Sequence, residues 1–372
     1  MKYIYAIVVF SHALIHILGF VKGFGLKDIK ELTLPISRPV SLLWLTLVLL
    51  ITIYGILFLT NNKYSWLLGF MSVLFSQILI ILFWKDAKFG TLPNIVILLV
   101  SMVSLGSYRF QDMVMKETNH ILNQSEVCNK KDISESDIIN LPNPVKNWLR
   151  NSGVIGKPFI YMGKVTQSAE MKMKPNQKNW IRATAVQYTT IETPAFIWVV
   201  DVSMNSVLNF VGRDKFQKGK GEMLIKIYSL IDVVKERGEK LDEGTIQRYL
   251  GEMVWFPSLA VSRYITWEQI DDTTAKATMD YMGTKGSGTF YFNSRGDVTK
   301  FVAMRYMGND STSKKYEWVL LVEDYETFAG IKVPSKMTAT WKLGEGDWTW
   351  LKLEITDIKY NENIEHEKLL KR

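Results

Sequence analysis

The chain has 372 residues, enough for two or three domains, and a formal net charge of +8. Residues 1–112 carry nine Lys/Arg against four Asp/Glu, a net +5, so the remaining 260 residues supply only +3. Most of this surplus lies in short loops between apolar segments, which argues for membrane topology and against nucleic-acid binding. The single cysteine, Cys128, excludes an intrachain disulfide and a multi-cysteine metal site.

Four apolar runs without charged residues follow one another before Gln111. Each is 19 to 24 residues long, the length at which a helix crosses a hydrocarbon core of about 30 Å. Runs this apolar do not form barrel strands, so a helix must satisfy their backbone hydrogen bonds. The sequence therefore predicts four transmembrane helices at Tyr3–Val21, Pro39–Asn62, Tyr64–Trp84 and Phe89–Tyr108.

The positions of Lys and Arg in the short loops predict the orientation of these helices. The first and third loops hold six such residues, and the opposite side holds four. Positively charged loops tend to stay in the cytoplasm, so both ends of the chain are expected outside. We predict a multi-pass protein of the cytoplasmic membrane of a bacterium, with its polar part extracytoplasmic.

His12 and His16 lie four residues apart, on one face of the first predicted helix. One interpretation is a pair of metal or haem ligands or a proton relay, because ionisable groups within membrane spans are often functional. The other, which we favour, is hydrogen bonding to a serine or to Gln77 on a neighbouring helix. The other predicted spans contain no cysteine or third histidine, so we expect no bound metal or cofactor.

The polar part begins with a connector and then changes to strands. Residues 113–137 show no clear period, and Leu141–Gly153 is typical of a short helix begun by prolines and ended by glycine. After Pro158 apolar and polar residues alternate, as in half-buried strands. The predicted strands are Phe159–Met173, Trp180–Thr190, Phe196–Met204, Val207–Gly212, Glu222–Tyr228, Arg263–Gln269, Lys276–Tyr281, Gly288–Asn293, Val298–Tyr306, Tyr316–Tyr325, Met337–Lys342 and Thr349–Tyr360.

One segment of the polar part has helical spacing, and we predict a helix over residues 241–257. Asp242 is its expected N-cap, and Pro257 its expected stop, because the residue before a proline is pushed out of the helical region. Arg248 and Glu252 lie on one face of this helix. The residues that share the opposite, apolar face are Ile246, Tyr249, Leu250, Met253 and Val254.

Ten or more consecutive strands with one main helix predict a large antiparallel sheet, which must curl strongly, close or split. The predicted fold is α+β: four transmembrane helices in residues 1–112, a linker of residues 113–137, and a curved β domain of residues 138–372 with a central helix. No period of 20–50 residues stands out, which argues against a propeller or solenoid.

Aromatic residues are concentrated in the polar part, which holds nine of the 12 tryptophans. One interpretation is the core of two packed layers. The other is a concave sheet face that binds an apolar or lipid-like ligand, because ligand pockets are mostly apolar. The residues predicted to contact such a ligand are Trp198, Tyr249, Trp255, Phe256, Trp267, Trp318 and Trp341.

Four charged residues, Arg213, Asp214, Arg248 and Glu252, are the candidates for catalysis, since a buried ionic cluster can mark an active site. The glycine-rich run after Asp214 lacks the spacing of a phosphate-binding loop and is better explained as a hairpin. No serine-hydrolase elbow or zinc-protease motif is present. Because no nucleophile lies near the four residues in sequence, a structural role for them is the stronger interpretation.

Several motifs occur in the same order as in an uncharacterised bacterial family, known as a domain of unknown function and often preceded by membrane helices. They are LPNPVKNWLRNSG, VGRDKFQKGKGEM, RYLGEMVWFPS, TWEQIDDTTAKA and ITDIKYN. The resemblance covers most of residues 138–361 and implies no activity and no catalytic residues. The many-stranded pattern also resembles, at the level of fold only, the open half-barrels of periplasmic lipoprotein carriers.

These observations leave three functions open. The leading prediction is a membrane anchor carrying a β domain that binds a lipid-like or other apolar ligand. The second is an envelope enzyme that uses the four charged residues, and the third is a structural module that docks a protein partner. The sequence does not determine the oligomeric state.

Overall fold

The computed structural model describes residues 2–125, 132–205 and 208–362, and Cys128 lies outside these ranges. The described residues fall into two compact units. The first contains residues up to 112 together with 228–230, and the second contains 113–227 together with 231–362. Each unit has its own buried apolar core.

The first unit is helical, as predicted. Its helices are α1 (Lys2–Gly23), α2 (Arg38–Leu59), α3 (Ser65–Leu82), the short α4 (Trp84–Ala87), and the first part of α5 (Thr91–Gln124). Within the described residues, four helical segments are long and apolar enough to cross a membrane, and each predicted span falls on one of them. The prediction of four apolar helices is confirmed.

The second unit begins with the end of α5, which runs on to Gln124 through the first half of the predicted connector. Two short helices follow, α6 (Glu135–Ile138) and α7 (Asn143–Ser152). Pro144 lies in the first turn of α7, and Gly153 ends the helix in the left-handed conformation at φ 73°. The glycine therefore ends this helix as the sequence predicts.

Thirteen strands form one antiparallel sheet in the second unit. Their bounds are β1 Met162–Met171, β2 Ile181–Thr190, β3 Ala195–Ser203, β4 Asn209–Gln217, β5 Lys220–Ile227, β6 Ile231–Glu236, β7 Ile265–Asp271, β8 Thr274–Tyr281, β9 Thr284–Phe292, β10 Val298–Tyr306, β11 Lys315–Phe328, β12 Ile331–Leu343 and β13 Gly346–Tyr360. The twelve predicted strands each overlap one of these. Strand β6 is absent from the predicted strands; it is short and charged and lies at the edge of the sheet.

The order of strands explains the position of the central helix. The sheet consists of two meanders, β1–β6 and β7–β13, which join where β1 pairs with β13. β6 and β7 are therefore the two edge strands, and the chain passes from one edge to the other through α8 (Glu239–Gly251). This helix contacts β4 and β5 near one edge and β8, β9 and β10 near the other. The sheet thus curls around α8 as a half-barrel, which confirms the predicted fold class.

Helix α8 is buried on most of its circumference, and Ile246 and Leu250 are fully enclosed, as predicted for its apolar face. Met253, in the 3-10 turn that follows α8, is fully enclosed as well. Gly251 lies directly against the Phe301 ring, since an added Cβ would come within 2.8 Å of it. We call the side of the sheet that carries α8 the concave face. The core of the second unit lies between this face and the helix.

Both predicted ends of α8 are wrong. The N-cap is Gly238, and Asp242 lies inside the first turn, where its carboxylate accepts hydrogen bonds from the Gly221 amide (2.7 Å) and Lys220 (2.8 Å). At the other end α8 stops at Gly251, and the backbone tightens into 3-10 turns before Pro257 is reached. Pro257 therefore lies six residues beyond the end of the α-helix and does not set that end.

Candidate functional site

Three of the four charged residues predicted as catalytic candidates meet on the concave face. The Arg248 guanidinium donates hydrogen bonds to Asp214 on β4 (2.7 Å) and to Glu252 (2.7 Å). It also donates to the Gln187 amide oxygen on β2 (3.2 Å), and Gln187 donates in turn to Glu252 (2.8 Å). We call these four residues the ionic cluster.

Arg213 lies outside the ionic cluster, on the opposite, convex face of the sheet. The prediction that Arg213 and Asp214 share one site is wrong, because both belong to strand β4. Successive residues of a strand point to opposite faces, so adjacent side chains are separated by the sheet. Arg213 forms ion pairs with Glu117 on α5 (3.0 Å) and with Glu222 (3.2 Å). The predicted four-residue site is therefore not assembled.

The ionic cluster is held in a partly desolvated environment. The side chains of Arg248, Asp214 and Glu252 are 14%, 20% and 11% exposed. Burial raises the pKa of Asp214, and the opposing field of Arg248 does not fully cancel this effect. The Arg248 guanidinium also lies over the rings of Trp198 (4.7 Å) and Phe196 (5.0 Å), so cation–π contacts fix its orientation.

A second arginine, Arg305 on β10, lies beside the cluster on the same face. Its guanidinium carbon is 4.6 Å from the centre of the Trp318 ring and 5.9 Å from that of Trp341. Burial, together with the charge of Arg248, lowers the pKa of Arg305 to about 10, so it remains charged at neutral pH. Arg305, Arg248 and Asp214 line a cavity with room for about one water molecule.

The aromatic residues predicted to contact a ligand lie in or against the core of the second unit. Several use their polar atoms internally: Trp198 donates to Gln167 (2.8 Å), Trp255 to the Pro334 carbonyl (3.1 Å) and Tyr249 to the Thr190 carbonyl (2.7 Å). The others are Phe256, which contacts Tyr360, Trp267, which donates to the Ala260 carbonyl, and Trp318 and Trp341 near Arg305. A role for these seven residues in ligand binding stays a prediction.

Cross-strand pairing aligns further apolar residues on the concave face. Trp318, Trp341 and Trp348 are direct neighbours on β11, β12 and β13, and we call them the tryptophan row. A second row crosses the same strands and continues onto β1 and β2, through Leu320, Ala339, Leu351, Met171 and Ile181. Trp348, Leu351 and Ile181 are only half-buried, so these rows keep an accessible apolar surface.

Sequence reasoning missed Gln187, Arg305 and Trp348, although a signal for two of them was present. Ala183, Ala185 and Gln187 alternate on β2, and Phe301, Ala303 and Arg305 alternate on β10. A polar residue in step with buried neighbours in a strand points into the core. The alternation along β2 and β10 places Gln187 and Arg305 on the concave face, where each contacts other site residues.

The histidine pair of the first unit takes part in hydrogen bonding between helices. His12 Nε2 lies 2.9 Å from Oδ1 of Asn94, and His16 Nε2 lies 3.0 Å from Oγ of Ser76. Asn94 donates onward to Gln77 (3.0 Å). Among residues 2–125, 132–205 and 208–362, no group of three or more His, Cys, Asp or Glu is arranged to hold a metal ion.

The chemistry of the concave face suits binding more than bond cleavage. The groups that contact Arg248 are carboxylates, an amide and aromatic rings, and both carboxylates are held by the same guanidinium. Such groups can orient a polar head and shield it from water.

Solved structures with similarity to the chain include two of low sequence identity. One is a LolA superfamily protein from Nitrosomonas europaea, with 12% identity and a TM-score of 0.33 over 59% of this chain and 94% of that chain. The other is a β-barrel-like protein of a domain of unknown function from Brucella abortus, with 9% identity and a TM-score of 0.26 over 55% of this chain and 99% of that chain. No curated protein matches the sequence.

A family model, described as a family of unknown function (DUF6544), matches residues 131–353 of the 372 residues. The matched range contains most of the sheet, all of α8 and every residue of the ionic cluster. The chain belongs to this family of unknown function, DUF6544.

Proposed function

We propose that the chain is a membrane-anchored protein whose second unit binds a lipid-like amphiphile on the concave face of the sheet. The observation that carries this proposal is the apolar surface of β11, β12, β13 and β1. Its inward rows keep half-buried tryptophan and leucine side chains even though α8 occupies the concave face nearer the two edges of the sheet. Contiguous accessible apolar surface of this kind is typical of a binding groove.

The free energy gained by burying methylene groups is large enough to support a chain-like ligand. Each CH₂ group removed from water contributes about 0.8 kcal/mol, so an acyl chain of ten or more carbons has enough apolar surface for micromolar binding. Leu351 and Trp348 lie on adjacent cross-strand rows, and Met171 and Ile181 extend the surface across two more strands. The rows thus offer a continuous path along which such a chain can lie.

The four apolar helices supply the anchor, and the loop charges supply its orientation. Six Lys/Arg in the first and third loops against four on the other side favour a cytoplasmic location for those loops. We place both ends of the chain, and with them the second unit, on the outer side of the cytoplasmic membrane. An amphiphile released from that membrane would then be available to the sheet.

Native mass spectrometry of the full chain, purified in a mild uncharged detergent, tests the binding proposal. We expect a lipid that stays bound to the wild type and is lost from Leu351→Lys, because a lysine there places a charge on the acyl-chain path. Leu321→Lys is the matched control. Leu321 is an exposed leucine on β11, two strands away from Leu351, but it lies on the convex face. Equal lipid occupancy in both variants would show that the retained lipid binds elsewhere.

A further inference from the structure

Arg305 has an unusual position for a charged residue. Its side chain runs between α8 and the tryptophan row, and an added Cβ on Gly244 would come within 2.9 Å of its Nε atom. Gly244 therefore leaves the space that the guanidinium occupies. Any larger residue at position 244 would push the arginine out of its present place.

Arg305 has no acceptor of its own. It forms no hydrogen bond or ion pair with the residues that the structure describes, although a guanidinium carries five N–H donors. In the tryptophan row, the indole N–H groups of Trp318 and Trp348 are buried and lack partners within the described ranges. Arg305 is itself only half-buried, so its donors remain open to a ligand, and the Trp318 ring beside it carries a further buried donor that lacks an acceptor.

The charged neighbours of Arg305 do not fill this role. Asp214 and Glu252 attract Arg305, but Asp214 is hydrogen-bonded to Arg248, and Glu252 to Arg248 and Gln187. Arg248 in turn repels Arg305. The two carboxylates therefore balance the two arginines in net charge while leaving the donors of Arg305 free.

We infer that Arg305 binds an anionic oxygen group, a phosphate or carboxylate, at the head of the ligand whose chain lies along the tryptophan row. This inference rests on the proposed function and adds the chemical class of the head group. A guanidinium binds such a group through two parallel N–H donors, and the neighbouring indole N–H groups offer further donors. The Trp318 and Trp341 rings lie beside the guanidinium, and these cation–π contacts keep it in place.

Two matched lipids test the inference on the full chain in uncharged detergent, by native mass-spectrometric titration. Lysophosphatidate and monoacylglycerol with the same acyl chain differ only in the phosphate group. We expect the wild type to bind lysophosphatidate at least tenfold more tightly. In Arg305→Gln this preference should fall about tenfold or more, as expected for the loss of a hydrogen bond to a charged group, while monoacylglycerol binding stays unchanged. Arg305→Lys should keep part of the preference.

The controls separate the possible outcomes. Arg295→Gln removes a charge from a side chain that is 81% exposed, and it should leave both affinities as in the wild type. Glycerol 3-phosphate, the head group alone, should compete weakly with lysophosphatidate in the wild type and not at all in Arg305→Gln. Equal binding of the two lipids, unchanged by Arg305→Gln, would overturn the inference but leave the proposed function standing. Failure of either lipid to bind the wild type would overturn both.

Discussion

Replacing Arg248 with methionine should destabilise the second unit by about 3–5 kcal/mol, the usual cost of breaking a buried ion pair on one side. The structure explains this magnitude. Methionine fills a similar volume but removes two hydrogen bonds of 2.7 Å, to Asp214 and Glu252. Both carboxylates are then left without their arginine at 20% and 11% exposure. Hydrogen bonds to charged groups contribute about 1.5–3 kcal/mol each, so two of them give about 3–6 kcal/mol, which overlaps this range.

A companion variant distinguishes the lost contacts from the stranded charges. Adding Asp214→Asn and Glu252→Gln to Arg248→Met removes the two uncompensated carboxylates, so much of the lost stability should return. If the triple variant were less stable than Arg248→Met alone, burial of unpaired charge would not be the cause.

Urea unfolding of the full chain in detergent, followed by tryptophan fluorescence, measures these effects, because nine of the 12 tryptophans belong to the second unit. Arg150→Met is the matched control. Arg150 and its partner Glu135 are 49% and 57% exposed, so their ion pair should matter little to stability. The reasoning is refuted if Arg248→Met unfolds at the same urea concentration as Arg150→Met.

Three further predictions concern the core, acid sensitivity and topology. Leu250→Asp should abolish stable folding or cost several kcal/mol, because Leu250 is a fully buried residue of α8. The unfolding midpoint measures this loss. Burial raises the pKa of Asp297, but hydrogen bonds from Lys332, Asn293 and Asn151 outweigh it and hold the pKa below its usual value. A depressed folded-state pKa stabilises the fold above the unfolded pKa, so Asp297→Asn should cost ~2 kcal/mol at pH 7, a gap that begins to narrow below about pH 4 and is lost as the pH falls through the folded-state pKa. Alkaline phosphatase fused after Arg372 should be active, because the loop charges predict an extracytoplasmic end.

Each of these has a clear contrary result. An unchanged midpoint in Leu250→Asp would mean that this face of α8 is solvated. A stability gap for Asp297→Asn that does not narrow at all as the pH falls from about 5 to about 2 would show that the carboxylate is not the stabilising form. A cytoplasmic reporter that works after Arg372, with inactive phosphatase, would reverse the orientation.

The strands could be predicted because their side chains follow a strict period of two over many residues. Leu250 and its neighbours on α8 were likewise evident from helical spacing. β6 was missed because a short, charged edge strand buries little apolar surface and leaves no such pattern. The position of α8 depends on the pairing of β1 with β13, a contact between residues almost 200 positions apart, which no local pattern records.

The candidate site was only partly predictable for a related reason. Asp214, Arg248 and Glu252 can be recognised in the sequence as charged residues of one predicted cluster, but the adjacency of Arg213 to Asp214 in sequence does not bring their side chains together in space. Once Arg213 and Asp214 are assigned to a strand, alternation alone separates them. Arg305 lacks an acceptor because of how β10 faces α8 and the tryptophan row. This arrangement is visible only in the three-dimensional structure.

Photo-crosslinking with a lipid that carries a diazirine on its acyl chain tests most directly whether the concave face binds an amphiphile. The full chain, purified in uncharged detergent, is irradiated with the probe, and the labelled peptides are mapped by mass spectrometry. The account predicts labels on the concave residues of β12, β13 and β1, including Leu351 and Met171, and their loss in Leu351→Lys but not in Leu321→Lys. Labels confined to α1, α2, α3 and the first part of α5 would contradict it, because the lipid would then contact only the membrane helices.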